Sequence, residues 1–213
     1  MYHSSGKKII LGIDPGYAIT GYGVISSEGN KLTCLDYGVI STKANVDFPL
    51  RLLSISEKVR ALIDVYHPDY MAVEELFFGH NTTTAIGTAQ ARGVVVVEGA
   101  RSGIPVYEYT PGQIKHAVTG YGKADKNQIT QMVRSLLGLN EIPKPDDAAD
   151  GLAVAICMAH SGTNISELAV SGYQYGRYGK KGWEELAPKM KPCATSTSKT
   201  VIQLMSDKTS ESI

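Results

Sequence analysis

The sequence predicts a mixed α/β domain. Three strand-like stretches follow one another between residues 9 and 41, segments of helical period then alternate with two short strands, and the apolar runs are too short to be anything but globular core. The first of these stretches, Ile9-Ile10-Leu11-Gly12-Ile13-Asp14, is the reference for the rest. A continuous apolar run of this length reads as a strand buried on both faces. It ends in a carboxylate where the strand leaves the core, an expensive place for an anion unless something cationic satisfies it. Pro15-Gly16 turns the chain, and Thr20-Gly21-Tyr22-Gly23-Val24-Ile25 reads as a second, antiparallel strand. Gly16, Gly21 and Gly23 are expected to leave open the space over Asp14, for an anionic ligand with a metal between it and the Asp. The same Asp also suits a plain turn cap.

Gly29-Asn30 marks the next turn, and Lys31 to Ser41 alternates loosely through Leu32, Cys34, Leu35, Val39 and Ile40, which completes an antiparallel meander. From Asp47 to Tyr66, Leu52, Ile55, Val59, Leu62, Ile63 and Tyr66 recur at helical spacing, and His67-Pro68-Asp69 stops that helix. Tyr70-Met71-Ala72-Val73-Glu74 is a short strand that also finishes in a carboxylate. After the polar stretch Asn81 to Thr84, residues Ala85 to Arg101 predict a largely buried helix in which Gly87 and Gly93 permit close packing. That helix suits either the core or a dimer contact. Ile104 to Glu108 is a fifth strand, and Pro111 opens a short helix through Val118. A glycine-broken loop, Thr119 to Ala124, leads to Asp125, which with Gln128 has the spacing of a capping box. That helix runs to Gly138, Pro143-Lys144-Pro145 is a stiff connector, and Asp146-Asp147-Ala148-Ala149-Asp150 opens the last core helix, to about Ser161. The predicted domain is therefore residues 1–162. Residues 163–213, first rich in Gly and aromatics and then in Ser and Thr, are expected to be a poorly ordered tail.

At 213 residues, 43% hydrophobic and 20% charged, the chain fits one soluble globular domain with a tail. Formal net charge is zero, so composition does not announce a nucleic-acid binder, and local charge has to be read instead. Between Arg101 and Arg134 the basic residues Arg101, Lys115, Lys123, Lys126 and Arg134 outnumber Glu108 and Asp125, a stretch able to track a phosphate backbone. Cys34, Cys157 and Cys193 are odd in number and widely spaced, with no CxxC, which argues against a disulfide framework or a zinc site. No apolar stretch reaches the length of a membrane span or a signal-peptide core, so a cytoplasmic location is expected.

Asp14 and Glu74 end two strands, and strand ends near a topological switch point form the functional crevice of such sheets. Asp147 and Asp150 lie three apart on one helix and share a face of its first turn, where dipole-favoured acids are also ordinary. If the four converge, they repel one another unless cations intervene. Oxygen ligands without Cys or His point to Mg²⁺ or Mn²⁺. Two such ions, roughly 3.5–4 Å apart, would serve an in-line displacement at phosphorus.

Taken in order, Gly12-Ile13-Asp14-Pro15-Gly16, Thr20 to Ile25, Ala72-Val73-Glu74, Gln90-Ala91-Arg92-Gly93 and Asp146 to Asp150 resemble the RuvC family of bacterial Holliday-junction resolvases over about residues 8 to 161. The resemblance implies a ribonuclease H-like fold, a five-stranded mixed sheet flanked by helices. It implies a homodimeric, Mg²⁺-dependent endonuclease that makes paired symmetric nicks in four-way DNA junctions and leaves 5′-phosphates. It also implies branch-migration partners, RuvA and RuvB. By position it makes Asp14, Glu74, Asp147 and Asp150 the catalytic and metal-binding acids, with two ions per site, while Glu75 and Asp146 merely flank them. Phe77 matches an aromatic used against unpaired bases, although a Phe after a strand also suits a core. Lys115 and Lys126 match basic residues near the cut phosphate, and Lys123 is a further DNA-binding candidate; each also suits a solvated surface charge.

Other readings start from the same residues. A Gly-Ile-Asp-x-Gly strand before a Gly-rich hairpin also begins actin-like and sugar-kinase ATPases, but those need a second such domain and a later Gly-rich nucleotide loop. A junction-binding protein that does not cut, or a related nuclease for another branched or hybrid substrate, would share the remaining features.

Overall fold

The computed structural model describes residues 6–76 and 82–161. Phe77 and the expected tail, residues 163–213, lie outside the described residues. The elements run β1 (Lys8–Asp14), β2 (Ile19–Glu28), β3 (Lys31–Ser41), α1 (Phe48–Tyr66), β4 (Tyr70–Glu74), α2 (Thr82–Arg101), β5 (Val106–Tyr109), α3 (Pro111–Thr119), α4 (Lys126–Leu137) and α5 (Asp146–Ser161). The strands form one mixed sheet in the order β3-β2-β1-β4-β5, with β1 antiparallel to β2 and parallel to β4. This is the element order expected from the sequence.

Because β1 is central, its side chains alternate between two cores. Leu11 and Ile13 face α1 and α2, where they pack with Ile55, Val59, Met71 and Val95. Ile10 faces the other way, into the layer formed by α3, α4 and α5 with Ile114, Val133, Leu152 and Ile156. Asp14 follows the parity of Ile10 and Gly12, and Glu74 that of Ala72, so both carboxylates belong to the α5 face. The ends of the helices behave as their residues require. Asp125 and Gln128 make the expected capping box, and Thr110 with Gln113 makes another at the start of α3. Gly120 and Gly138 close α3 and α4 in the left-handed region.

Two expectations are corrected. The space over Gly21 and Gly23 is not open to a ligand, because α5 fills it. A Cβ at Gly21 would strike the Asp147 backbone carbonyl, and one at Gly23 would lie 2.6 Å from the Leu152 Cα. From the other side, a Cβ at Gly151 would come within 2.5 Å of the Tyr22 backbone. These glycines therefore let a helix rest directly on sheet backbone.

Helix α2 is not largely buried. Ala91, Val95, Glu98 and Gly99 turn inward, whereas Ile86, Gln90, Gly93 and Val97 form an exposed face. Gly87 does serve close packing, against the Tyr17 ring, but a Cβ at Gly93 would meet nothing within 4 Å. The buried Glu98 accepts from Ser56 Oγ at 2.6 Å and from the Arg60 guanidinium, which tie α2 to α1, and from Arg101 one turn on in α2.

Candidate active site

The parallel pairing of β1 with β4 sets Ile13 beside Val73, so the next residue after each, Asp14 and Glu74, emerges side by side from the sheet. Across the antiparallel pair, Asp14 is registered with Gly21, the residue on which Asp147 rests. Helix α5 thereby brings its first turn over the end of β1. Carboxylate oxygens of Asp14, Asp147 and Asp150 all lie within 4.8 Å of one another, and each of these residues is half-buried. Glu74 joins from β4, close enough to Asp14 for that carboxylate to raise its pKa.

Burial and the mutual repulsion of these carboxylates favour their protonated forms. Burial, then Asp150 and Asp147, push Asp14 from 3.8 up to about 6. Burial, then Asp14 and Asp150, push Glu74 from 4.5 up to about 8. Asp150 is also raised by burial, with the nearby Lys126 opposing the shift. A compact set of oxygen donors that repel one another suits a hard divalent cation, which would neutralise them. The donor set thus fits Mg²⁺ or Mn²⁺, with no sulfur or imidazole in the group.

Lys126, the first residue of α4, places Nζ 3.2 Å from Asp150 Oδ2 and 3.8 Å from the exposed Asp146. Burial pulls its ammonium down, but Asp150, Asp146 and Asp147 outweigh burial and raise it. Lys115 of α3 lies on the Glu74 side, near enough to favour the ionised form of that carboxyl. Lys123 is exposed on the turn between α3 and α4. Four acids and two lysines from the sequence thus meet at one end of the sheet.

Glu75, beside Glu74, belongs to a different group. Burial and Glu108 raise its carboxyl, and Arg92 opposes them. Arg92 of α2 forms an ion pair with Glu108 of β5, so it fastens α2 to the sheet next to Glu74. The sequence placed Arg92 in a motif without a role, because nothing local joins it to Glu108.

The family model for crossover junction endodeoxyribonuclease RuvC matches residues 10–158. A crossover junction endodeoxyribonuclease RuvC of Desulfitobacterium hafniense (strain DSM 10664 / DCB-2) is 60% identical over 153 residues, 72% of this chain and 93% of the relative. That of Heliobacterium modesticaldum is 56% identical over 153 residues, 72% of this chain and 94% of the relative. Among solved structures, T. thermophilus RuvC in complex with Holliday junction substrate superposes with a TM-score of 0.69 at 35% identity, over 72% of this chain and 94% of that one. The yeast mitochondrial Holliday junction resolvase Ydc2 has a TM-score of 0.52 at 17% identity, over 71% of this chain and 78% of that one, a likeness of fold alone. By sequence along most of its length and by the architecture of its sheet, this chain belongs to the RuvC family of crossover junction endodeoxyribonucleases.

Proposed function

We propose that this chain is a metal-dependent endonuclease that resolves four-way DNA junctions by paired symmetric nicks. The observation that carries the reading is the convergence of Asp14, Asp147 and Asp150 within 4.8 Å, with Glu74 beside them. These four acids would hold two Mg²⁺ ions, or Mn²⁺ in their place. Bound there, the ions would supply charge neutralisation at the phosphate and a more acidic attacking water. Asp14 and Glu74 are held by adjacent strands and Asp147 and Asp150 by a single helical turn, so the ligand positions are set before DNA arrives. Lys126, now paired with Asp150, is placed to turn its ammonium toward a phosphate oxygen, and Lys115 to do the same from the Glu74 side. Phe77 and Lys123 complete the DNA-binding set. The nuclease is assigned to residues 1–162, with 163–213 as an appended segment, and the protein to the cytoplasm. No helix among the described residues is long and apolar enough to cross a membrane.

Two symmetric cuts call for a twofold enzyme on a twofold junction. The exposed face of α2 supports a homodimer: Ile86 is 63% and Val97 51% exposed, and Gly93 between them leaves room for a close helix contact. Leu50 and Leu53 of α1 are also exposed. Val97→Asp is expected to shift the protein to monomer in sedimentation experiments; an unchanged mass would place the interface elsewhere. RuvA and RuvB are the proposed branch-migration partners.

The reading is tested with purified protein on a four-way junction and on a linear duplex, with Mg²⁺ and with chelator. The expected result is paired nicking of the junction in Mg²⁺ only. Junction binding indifferent to Mg²⁺, with no nicking under any condition, would overturn it.

A further inference from the structure

The turn between α3 and α4, residues 120–125, joins the helix that carries Lys115 to the helix that opens with Lys126. At its tip is Tyr121, 58% exposed; no other aromatic side chain among the described residues is as exposed. The turn is not loose. Tyr121 N donates to Thr119 Oγ1 at 3.1 Å, and Ala124 N donates to Tyr121 O at 3.3 Å. A large ring is therefore held exposed by an ordered backbone, with nothing among the described residues covering it.

The glycines beside it give an independent observation. Gly120 has a φ of +71° and closes α3, so the backbone requires a glycine there. Gly122 has no positive φ, and a Cβ on it would meet nothing within 4 Å. Neither its backbone conformation nor its packing against the described residues asks for glycine at 122. A bare backbone at such a place suits close approach by a ligand. The ligand's charge follows from the neighbours. Lys123 stands next to Gly122, Lys115 of α3 is near enough to Glu74 to favour its ionised form, and Lys126 sits 3.2 Å from Asp150, so the turn lies along the basic margin of the carboxylate site.

We propose that Tyr121 is a base-stacking residue for junction DNA, holding an unpaired or distorted base beside the cut phosphate while the strand runs close over Gly122. This rests on the resolvase reading and adds a specificity-determining contact to it. An aromatic face stacks on any base, but with unequal strength, so the contact biases which flanking bases are cut well.

The test compares wild type, Tyr121→Ala and Tyr121→Phe on four-way junctions that differ in the bases around the cut. Junction binding is measured in chelator over a range of salt, and single-turnover cutting in Mg²⁺. Tyr121→Ala is expected to bind about tenfold more weakly, the size of one lost base–aromatic stack. Its thermal midpoint and the slope of affinity against salt should stay as in wild type, because no phosphate contact is lost. Its preference among flanking bases should flatten. Tyr121→Phe, which keeps the ring, should restore binding to within about twofold. Tyr121→Ala binding and cutting like wild type would overturn the proposal, as would Tyr121→Phe being as weak as Tyr121→Ala. Failure of the wild type to cut any junction would instead count against the resolvase reading, and the binding arm would still decide the part played by Tyr121.

Discussion

Replacing Asp14 with Asn is expected to stop junction cleavage and, without divalent metal, to make the folded chain more stable. Both effects come from one carboxylate. Asp14 faces Asp147 and Asp150 and lies beside Glu74, so its loss removes the central member of the proposed ligand set. A fall in rate of about a thousandfold or more is expected, with junction binding retained at low salt. The stability change has a definite pH window. Unfolded, Asp14 titrates near 3.8; folded, it titrates near about 6 because of burial and its acidic neighbours. A group raised by folding favours the folded state while protonated, and that advantage is lost as pH rises through the folded value. Glu74 acts in the same sense between 4.5 and about 8. Metal-free wild type should therefore lose stability from about pH 4 to pH 8, and Asp14→Asn should lose less of it. The difference between the two at pH 8 is expected to be about 1–3 kcal/mol in favour of the variant. Adding Mg²⁺ at pH 8 should raise the thermal midpoint of wild type and leave the variant nearly unmoved. Thermal melts from pH 4 to 8, with chelator and with Mg²⁺, check this alongside the nicking assay. Cutting by Asp14→Asn at the wild-type rate would remove Asp14 from the catalytic set.

The order of elements was legible in the sequence because each carries local punctuation. Gly29-Asn30 turns β2 into β3, His67-Pro68 stops α1, Asp125 with Gln128 caps α4, and Gly138 ends it. Asp14 and Glu74 were legible as candidate site residues because both end apolar strands in a carboxylate. What the sequence could not say is what covers a glycine. Gly21 and Gly23 read equally well as room for a ligand and as a seat for a helix, and the choice depends on α5, more than a hundred residues further on. The same limit hid the pairing of Arg92 with Glu108 and the burial of Glu98. In α2, an Ala-, Gly- and Val-rich composition looks apolar all round, so the periodicity that separates an inner from an outer face is faint. Lys126 was found through its helix start and loop, yet its partner Asp150 belongs to another helix.

Gly21→Ala is expected to damage both the fold and the site, and the site more. Gly21 is the cross-strand neighbour of Asp14, and its α5-facing side is occupied by the backbone of Asp147. A methyl group there has no flexible side chain to displace; it meets a carbonyl and the Cα behind it. The helix must lift, and its first turn is the part that carries Asp147 and Asp150. Overpacking of this kind costs about 2–3 kcal/mol. A displacement of the ligands by about 1 Å is enough to lower cutting about a hundredfold. Gly23→Ala separates the two consequences. It presses on Leu152, further along α5, where the Cα would lie 2.6 Å from the new Cβ, so it should destabilise the chain comparably while disturbing the carboxylates less. Chemical denaturation, single-turnover cutting and the rise in thermal midpoint on adding Mg²⁺ are measured for both variants. Gly21→Ala should show the smaller response to Mg²⁺ and the greater loss of cutting per unit of stability lost. Equal ratios in the two variants would mean that the carboxylate group does not depend on the seat of α5 at Gly21, and that strand and helix hold their ligands independently.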